Sequence, residues 1–194
     1  LKYGSNNRIE VRVKKHSDNK SVNAAERKAD WWLFGGIYRP VWLEAKPEMR
    51  IEYMAVDARA DGTMQLHTNL KGVSGKEKLV ATLERIDGLE ETPRICTWPV
   101  NNDSVFVHLW DDISTWTPET PRLYNLVVSL LSEEGKLAHQ ATTRVGFRTI
   151  EFRPEDGIYL NGTRLLVKGT NRHCFDPETG RTISRELSLK DALL

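Results

Sequence analysis

The sequence predicts a mostly β chain centred on an immunoglobulin-like sandwich, and three observations carry that expectation. Apolar and polar residues alternate with period two in several short runs, as on half-buried strands. Turn signals such as Asp61-Gly62, Asp87-Gly88 and Glu134-Gly135 separate the runs. Between Glu48 and Phe152 there is room for roughly seven such strands, the number that a sandwich of about 100 residues needs. Beyond Phe152 the pattern changes to strand, loop and helix, so a change of fold class is expected there.

Taken in order, Arg8 to Lys14 reads RIEVRVK, with Ile9, Val11 and Val13 on one face, and predicts a strand. His16 to Asp30 is polar and without period, and reads as a long loop. Trp31 to Ala45 is apolar and aromatic around Gly35-Gly36. In the central region four sets alternate: Met64, Leu66, Thr68 and Leu70; Leu79, Ala81 and Leu83; Val105, Val107 and Leu109; Leu126, Val128 and Leu130. Asp156 to Gly169 reads as a hairpin with Asn161-Gly162 at its tip, since both residues tolerate the positive φ of a type I′ turn. Its second strand would be Arg164 to Lys168. Ser188 and Asp191 then have the spacing of a capping box, in which hydroxyl and carboxylate satisfy free amides at a helix start.

Composition excludes some functions. Lys and Arg number 28 against 27 Asp and Glu, a net charge of +1, which leaves no footprint for nucleic acid or an anionic membrane. No apolar run approaches the roughly 18 residues of a membrane helix, and the first ten residues lack the apolar core of a signal peptide. Cys96 and Cys174 form neither a CxxC pair nor a metal-type cluster. The six tryptophans suit either core packing, the commoner use, or stacking on sugar rings. There is no GxSxG, HExxH, GxxxxGK[ST] or GxGxxG, and the five histidines His16, His67, His108, His139 and His173 are scattered. Asn19, Asn102 and Asn161 begin Asn-x-Ser/Thr triplets, which read as chance matches.

Four segments together are more specific: Asp30 to Leu43 (DWWLFGGIYRPVWL), Trp116 to Tyr124 (WTPETPRLY), Gly146-Phe147-Arg148, and Leu160-Asn161-Gly162 through Lys168-Gly-Thr-Asn-Arg-His173. In this order, over nearly the whole chain, they resemble glycoside hydrolase family 2, of the β-galactosidase and β-glucuronidase type. The resemblance implies that residues 1–46 end a jelly-roll sugar-binding domain, 47–152 form the immunoglobulin-like sandwich, and 153–194 begin a (β/α)8 barrel. Barrel active sites lie in the loops after the strands, so the stretch after Gly169 is where chemistry is expected.

By the same resemblance His173 lines the sugar pocket and hydrogen-bonds substrate hydroxyls, since imidazole both donates and accepts. Asn171 and Arg172 match the same motif, either orienting the pocket or tying down its loop. Asp30 matches an aspartate that contacts sugar, in some members with a bound cation, Na or Mg. Arg39 would brace that segment by pairing with a carboxylate, and Trp31 and Trp32 would either stack on sugar rings or, the favoured reading, pack between domains. The implied partner is a β-glycoside substrate, with a homo-oligomeric parent enzyme.

Two departures stand out. Cys174 follows the histidine where many relatives carry a glutamate. The family's acid/base glutamate follows an asparagine inside the barrel and its nucleophile lies later, but the chain contains no Asn-Glu dipeptide. The expectation is therefore a scaffold piece of a retaining glycosidase, inactive alone. The alternative from another class is a non-catalytic carbohydrate-binding or adhesion module on the same sandwich. The segment from Gly157 to Leu194, for which a free-standing sandwich has no use, argues against it.

Overall fold

The computed structural model describes residue 2 and residues 4–28, 35–87, 93–100 and 105–194. The chain divides into two compact units, Ala45–Lys168 and the combination of Leu1–Glu44 with Gly169–Leu194.

Among the described residues, ten strands lie in the first unit: β1 (Arg50–Ala58), β2 (Thr63–Lys71), β3 (Lys78–Arg85), β4 (Arg94–Pro99), β5 (Val105–Leu109), β6 (Tyr124–Leu131), β7 (Leu137–Val145), β8 (Ile150–Arg153), β9 (Gly157–Leu160) and β10 (Thr163–Arg164). The first seven form two antiparallel sheets, ordered β1-β2-β5 and β4-β3-β6-β7. One apolar core draws on both, so the sheets face each other as a sandwich. The seven strands match the sequence expectation, although β4 joins β3 in the second sheet and leaves the first with three strands. The last three strands form a separate sheet, β10-β9-β8.

The inner faces follow the period-two pattern. Leu79, Ala81 and Leu83 of β3 meet Leu126, Val128 and Leu130 of β6, and all six are fully buried. Burying each large member stabilises the fold by about 1.5–3 kcal/mol before entropy is counted. On β2, Met64, Leu66 and Thr68 are buried as the alternation predicts.

On β5 the predicted phase is reversed. Phe106 is the buried residue, while Val105, Val107 and Leu109 are exposed. Phe106 pairs in register with Leu66, His108 with Met64, and Trp110 follows at the core edge. Aromatic volume decides the face here: Trp98 tilts onto Phe106 at 5.6 Å between centroids, and His108 meets Trp110 edge-on at 4.5 Å.

At the start of β6 the buried Tyr124 accepts a hydrogen bond on its hydroxyl from the Ser114 amide at 2.9 Å. This is the corner by which immunoglobulin-like sandwiches fasten the crossover between their sheets. Gly62 sits in the β1–β2 turn at φ +87°, where an added Cβ would lie 2.2 Å from the Trp110 carbonyl oxygen. Side chains are excluded there twice over, by conformation and by space.

Three sequence readings in the other unit change. Residues 8–14 form no strand, and Ile9, Val11 and Val13 are exposed, because no described neighbour provides the ladder that a strand needs. The expected loop at 16–30 contains helix α1 (Lys20–Arg27), whose N-cap Asn19 accepts from the Ser21 amide at 2.9 Å. The capping box placed at Ser188 is displaced by one turn. Helix α2 (Arg185–Leu193) is capped by Ser184, whose hydroxyl accepts from the Leu187 amide at 3.1 Å. The predicted second hairpin strand, Arg164 to Lys168, ends at Arg164, and Leu166 and Val167 are exposed.

Among the described residues of the sandwich unit one carboxylate is buried. Glu77 accepts from the Ser74 amide at 2.9 Å, the Gly75 amide at 2.8 Å and the Ser74 hydroxyl at 3.0 Å, closing the loop before β3. Burial alone would raise its pKa, but these donors outweigh it and hold the group at about 2, against 4.5 ordinarily. A depressed carboxylate contributes stability that is complete above the unfolded pKa and fades as pH falls toward the folded one. Urea titrations of the wild type and Glu77→Gln should therefore differ by about 2 kcal/mol above pH 5 and converge as pH falls from about 4.5 to 2. A difference independent of pH would refute this role.

Candidate functional site

The site expected from sequence begins just after Gly169, in the second unit. Arg172 turns back on its own unit: one guanidinium nitrogen pairs with Asp191 and another reaches the Ser188 hydroxyl at 3.4 Å, so the loop is tied to α2. The capping box predicted at Ser188 and Asp191 thus uses the right residues for another purpose. The His173 carbonyl accepts from the Phe175 amide at 2.9 Å. Three residues after His173, the Asp176 carboxylate accepts from the Thr179 amide at 2.9 Å and the Glu178 amide at 3.0 Å, which lowers its pKa.

The backbone around His173 is therefore held on both sides. The side chains of Asn171 and His173 are exposed and have no hydrogen-bond partner among the described residues, so both are available to a ligand. Asp30, Trp31 and Trp32 lie outside the described residues. Arg39 stacks over Tyr38, 5.8 Å from the ring centroid, instead of forming the carboxylate pair expected from sequence.

This unit also holds a cleft of about 610 Å³. Arg12, Lys14, Lys15 and Arg181 contribute positive charge, Asp18 and Glu26 negative charge, and Tyr38 an aromatic wall. Lys14 is engaged by Asp18 at 2.8 Å. Its lining does not include residues 171–173. Among the described residues no three His, Cys, Asp or Glu side chains converge as a cation site. Cys96 and Cys174 are free thiols; burial pushes Cys96 up to about 12 and leaves it unreactive.

The remaining signature segments meet within the sandwich unit, at one junction. Asn161 adopts φ +49° and Gly162 φ +78°, the left-handed pair that a type I′ turn demands. The Asn161 carboxamide accepts from the Thr149 amide at 2.8 Å and donates to the Trp116 carbonyl at 3.1 Å. Its own amide donates to the Thr149 carbonyl at 2.8 Å. Trp116 in turn donates its amide to Phe147 at 2.9 Å, and an added Cβ on Gly146 would lie 3.0 Å from the Trp116 side chain. Arg148 covers the indole, with its guanidinium carbon 5.4 Å from the ring. With both its donor and acceptor engaged, Asn161 has a structural task; sequence reasoning saw its turn conformation but not its bonds.

The sandwich is thus joined through Trp116, Gly146–Arg148 and Asn161 to the hairpin β9–β10. The model of glycosyl hydrolases family 2 matches residues 47–148, and the chain belongs to that family. It is 31% identical to a β-galactosidase of Thermoanaerobacter pseudethanolicus over 99% of the chain and 26% of that protein. With a β-galactosidase of Vibrio vulnificus it shares 36% identity over 84% of the chain and 17% of the relative. Among solved structures, β-glucuronidase 2 of Bacteroides uniformis superposes with a TM-score of 0.63 at 26% identity, over 88% of this chain and 23% of that one. The chain thus spans about a quarter or less of the length of these relatives.

Three substitutions separate the roles assigned above. Asn161→Ala should cost about 2–4 kcal/mol, since it strands the Thr149 amide and the Trp116 carbonyl and adds backbone strain; Asn161→Gly should recover only the strain, about 1 kcal/mol. Equal denaturation midpoints for Asn161→Gly and the wild type would rule out the bridging role. Arg172→Ala should change global stability by less than about 1 kcal/mol while speeding amide exchange in α2, as suits a partly exposed ion pair.

Proposed function

We propose that this chain is part of a retaining β-glycosidase of the β-galactosidase or β-glucuronidase kind, an O-glycosyl hydrolase in which it supplies scaffold and part of the sugar pocket. Family membership together with co-linearity carries the reading: 99% of the chain runs alongside one β-galactosidase, and solved relatives of similar fold are β-glucuronidases. In this reading residues 1–46 close a jelly-roll domain, 47–152 form the immunoglobulin-like sandwich, and 153–194 open a (β/α)8 barrel.

Retaining hydrolysis needs two carboxyl groups roughly 5 Å apart, one as acid/base and one as nucleophile. Neither is assigned to this chain, because it has no Asn-Glu pair to match the family's acid/base. The chain's own contribution is positioning. His173, held through its backbone and exposed at its ring, binds substrate hydroxyls; Asn171 orients the sugar; Arg172 fixes the loop by its pair with Asp191. Asp30 is the residue proposed to touch sugar or an Na or Mg ion. One solved relative is a calcium-binding mutant of a Bacteroides uniformis β-glucuronidase. No step is assigned to a cation here.

In the parent enzyme, His173→Ala should lower kcat/KM by about 10- to 100-fold on an aryl β-glycoside, the cost of about 1.5–3 kcal/mol for a lost substrate hydrogen bond. Its thermal stability should hardly move, because the ring has no partner among the described residues. Pure 194-residue chain should turn over neither aryl β-galactosides nor β-glucuronides. Turnover by that preparation would overturn the positioning role.

A further inference from the structure

The sandwich unit contains an open stretch of sheet edge beside a basic cleft, and the two fit the same kind of ligand. Strand residues alternate in the side to which their amide and carbonyl point. On β1, Arg59 donates to the Thr63 carbonyl toward β2, while Ala58 accepts from the Arg148 amide at 3.0 Å on the opposite side. Counting back from Ala58, Val56 and Met54 also point their backbone groups away from β2.

The outer edge is closed at both ends. Ile51 donates its amide to His139 Nδ1 at 3.3 Å, Ala58 takes the Arg148 amide, and Ala60 donates to the Thr149 hydroxyl at 3.1 Å. Between these ties, the outward amides and carbonyls of Met54 and Val56 have no partner among the described residues. β1 is the end strand of its sheet and β7 the end strand of the other, and a cleft of about 540 Å³ separates them, lined by Met54, Val56 and Ala58. Arg59, Arg144 and Arg148 also line it, against one carboxylate, Asp57, which is already paired with Arg59 at 3.1 Å. Arg144 makes no ion pair among the described residues.

We propose that this cleft binds an extended acidic peptide segment, which adds as a short strand to the open edge of β1 and sets its carboxylates against the arginines. Backbone pairing with Met54 and Val56 supplies affinity, and the unbalanced positive charge selects the sign of the ligand. The stretch between the ties admits about four or five residues at roughly 3.4 Å each. The inference is independent of the glycosidase reading, since it uses no residue of the sugar site.

Amide exchange of the 194-residue chain would be followed by NMR with acetyl-Val-Glu-Val-Glu-Val-amide at millimolar concentration. Met54 and Val56 should gain at least about tenfold protection, whereas the outer edge of β5, where Trp98 already occupies the Val107 carbonyl at 3.4 Å, should gain none. Arg144→Glu should lose the effect with that peptide and regain it with the Val-Lys-Val-Lys-Val counterpart; Arg144 is exposed, so folding is not at stake. No protection, or equal protection from both peptides on the wild type, would overturn the proposal. So would inorganic phosphate displacing the peptide without protecting the two amides, the mark of an anion pocket, or protection that grows with protein concentration in the absence of peptide, the mark of a second copy.

Discussion

The geometry of the sandwich unit depends on the Asn161 carboxamide. It satisfies two backbone groups that belong to different segments, the Thr149 amide and the Trp116 carbonyl, and does so from a residue already held in the left-handed region. A buried or half-buried backbone group without a partner costs about 1–3 kcal/mol, so each bond removes a penalty as well as adding an attraction. Through these bonds the hairpin β9–β10 becomes continuous with the loop before β6 and with the chain after β7. Gly146 leaves room for Trp116, whose side chain an added Cβ would meet at 3.0 Å, and Arg148 stacks on that ring while tying off β1.

The sandwich beneath this junction is held by simpler means. Apolar rows on β3 and β6 form the fully buried centre of the core, and Tyr124 and Glu77 serve as polar fasteners at its margins. Both fasteners obey the same rule: a polar group is taken out of water only where backbone amides receive it, Ser114 for the phenol and Ser74 with Gly75 for the carboxylate. The two sides of the sandwich are finished differently. Between β4 and β5 the seam is filled by Trp98, Phe106, His108 and Trp110, whereas between β1 and β7 it is left as a cleft.

Local chemistry decided what could be read from sequence. The inner rows of β2, β3 and β6 were legible because those strands are flanked on both sides and one face of each is dry. β5 was misread because it is an edge strand: its outward Val105, Val107 and Leu109 look like a core row until the volume of Phe106 and Trp110 is weighed. Helix α1 was missed because its eight residues are polar on average and none is buried; its signal was the capping Asn19, which a search for long apolar patterns ignores. In the candidate site, the type I′ turn at Asn161 was legible from conformation alone. The Arg172–Asp191 pair was not, because a contact across 19 residues leaves no local pattern.

The segments that make the sequence recognisable are therefore mostly segments that fold it. Trp116, Tyr124, Gly146, Phe147, Arg148 and Asn161 all spend their side chains, or their lack of one, on closing the sandwich and docking the hairpin. Tyr124 and Phe147 even pack on each other, edge to face at 5.5 Å. Such residues are constrained by the contacts that fold the chain. The family match over residues 47–148 consequently reports a scaffold, and one scaffold can serve galactosidases and glucuronidases alike. Under the function proposed above, contacts to substrate fall to side chains left free after folding is satisfied. In the signature segment that follows Gly169, those are Asn171 and His173, with Arg172 already committed to α2.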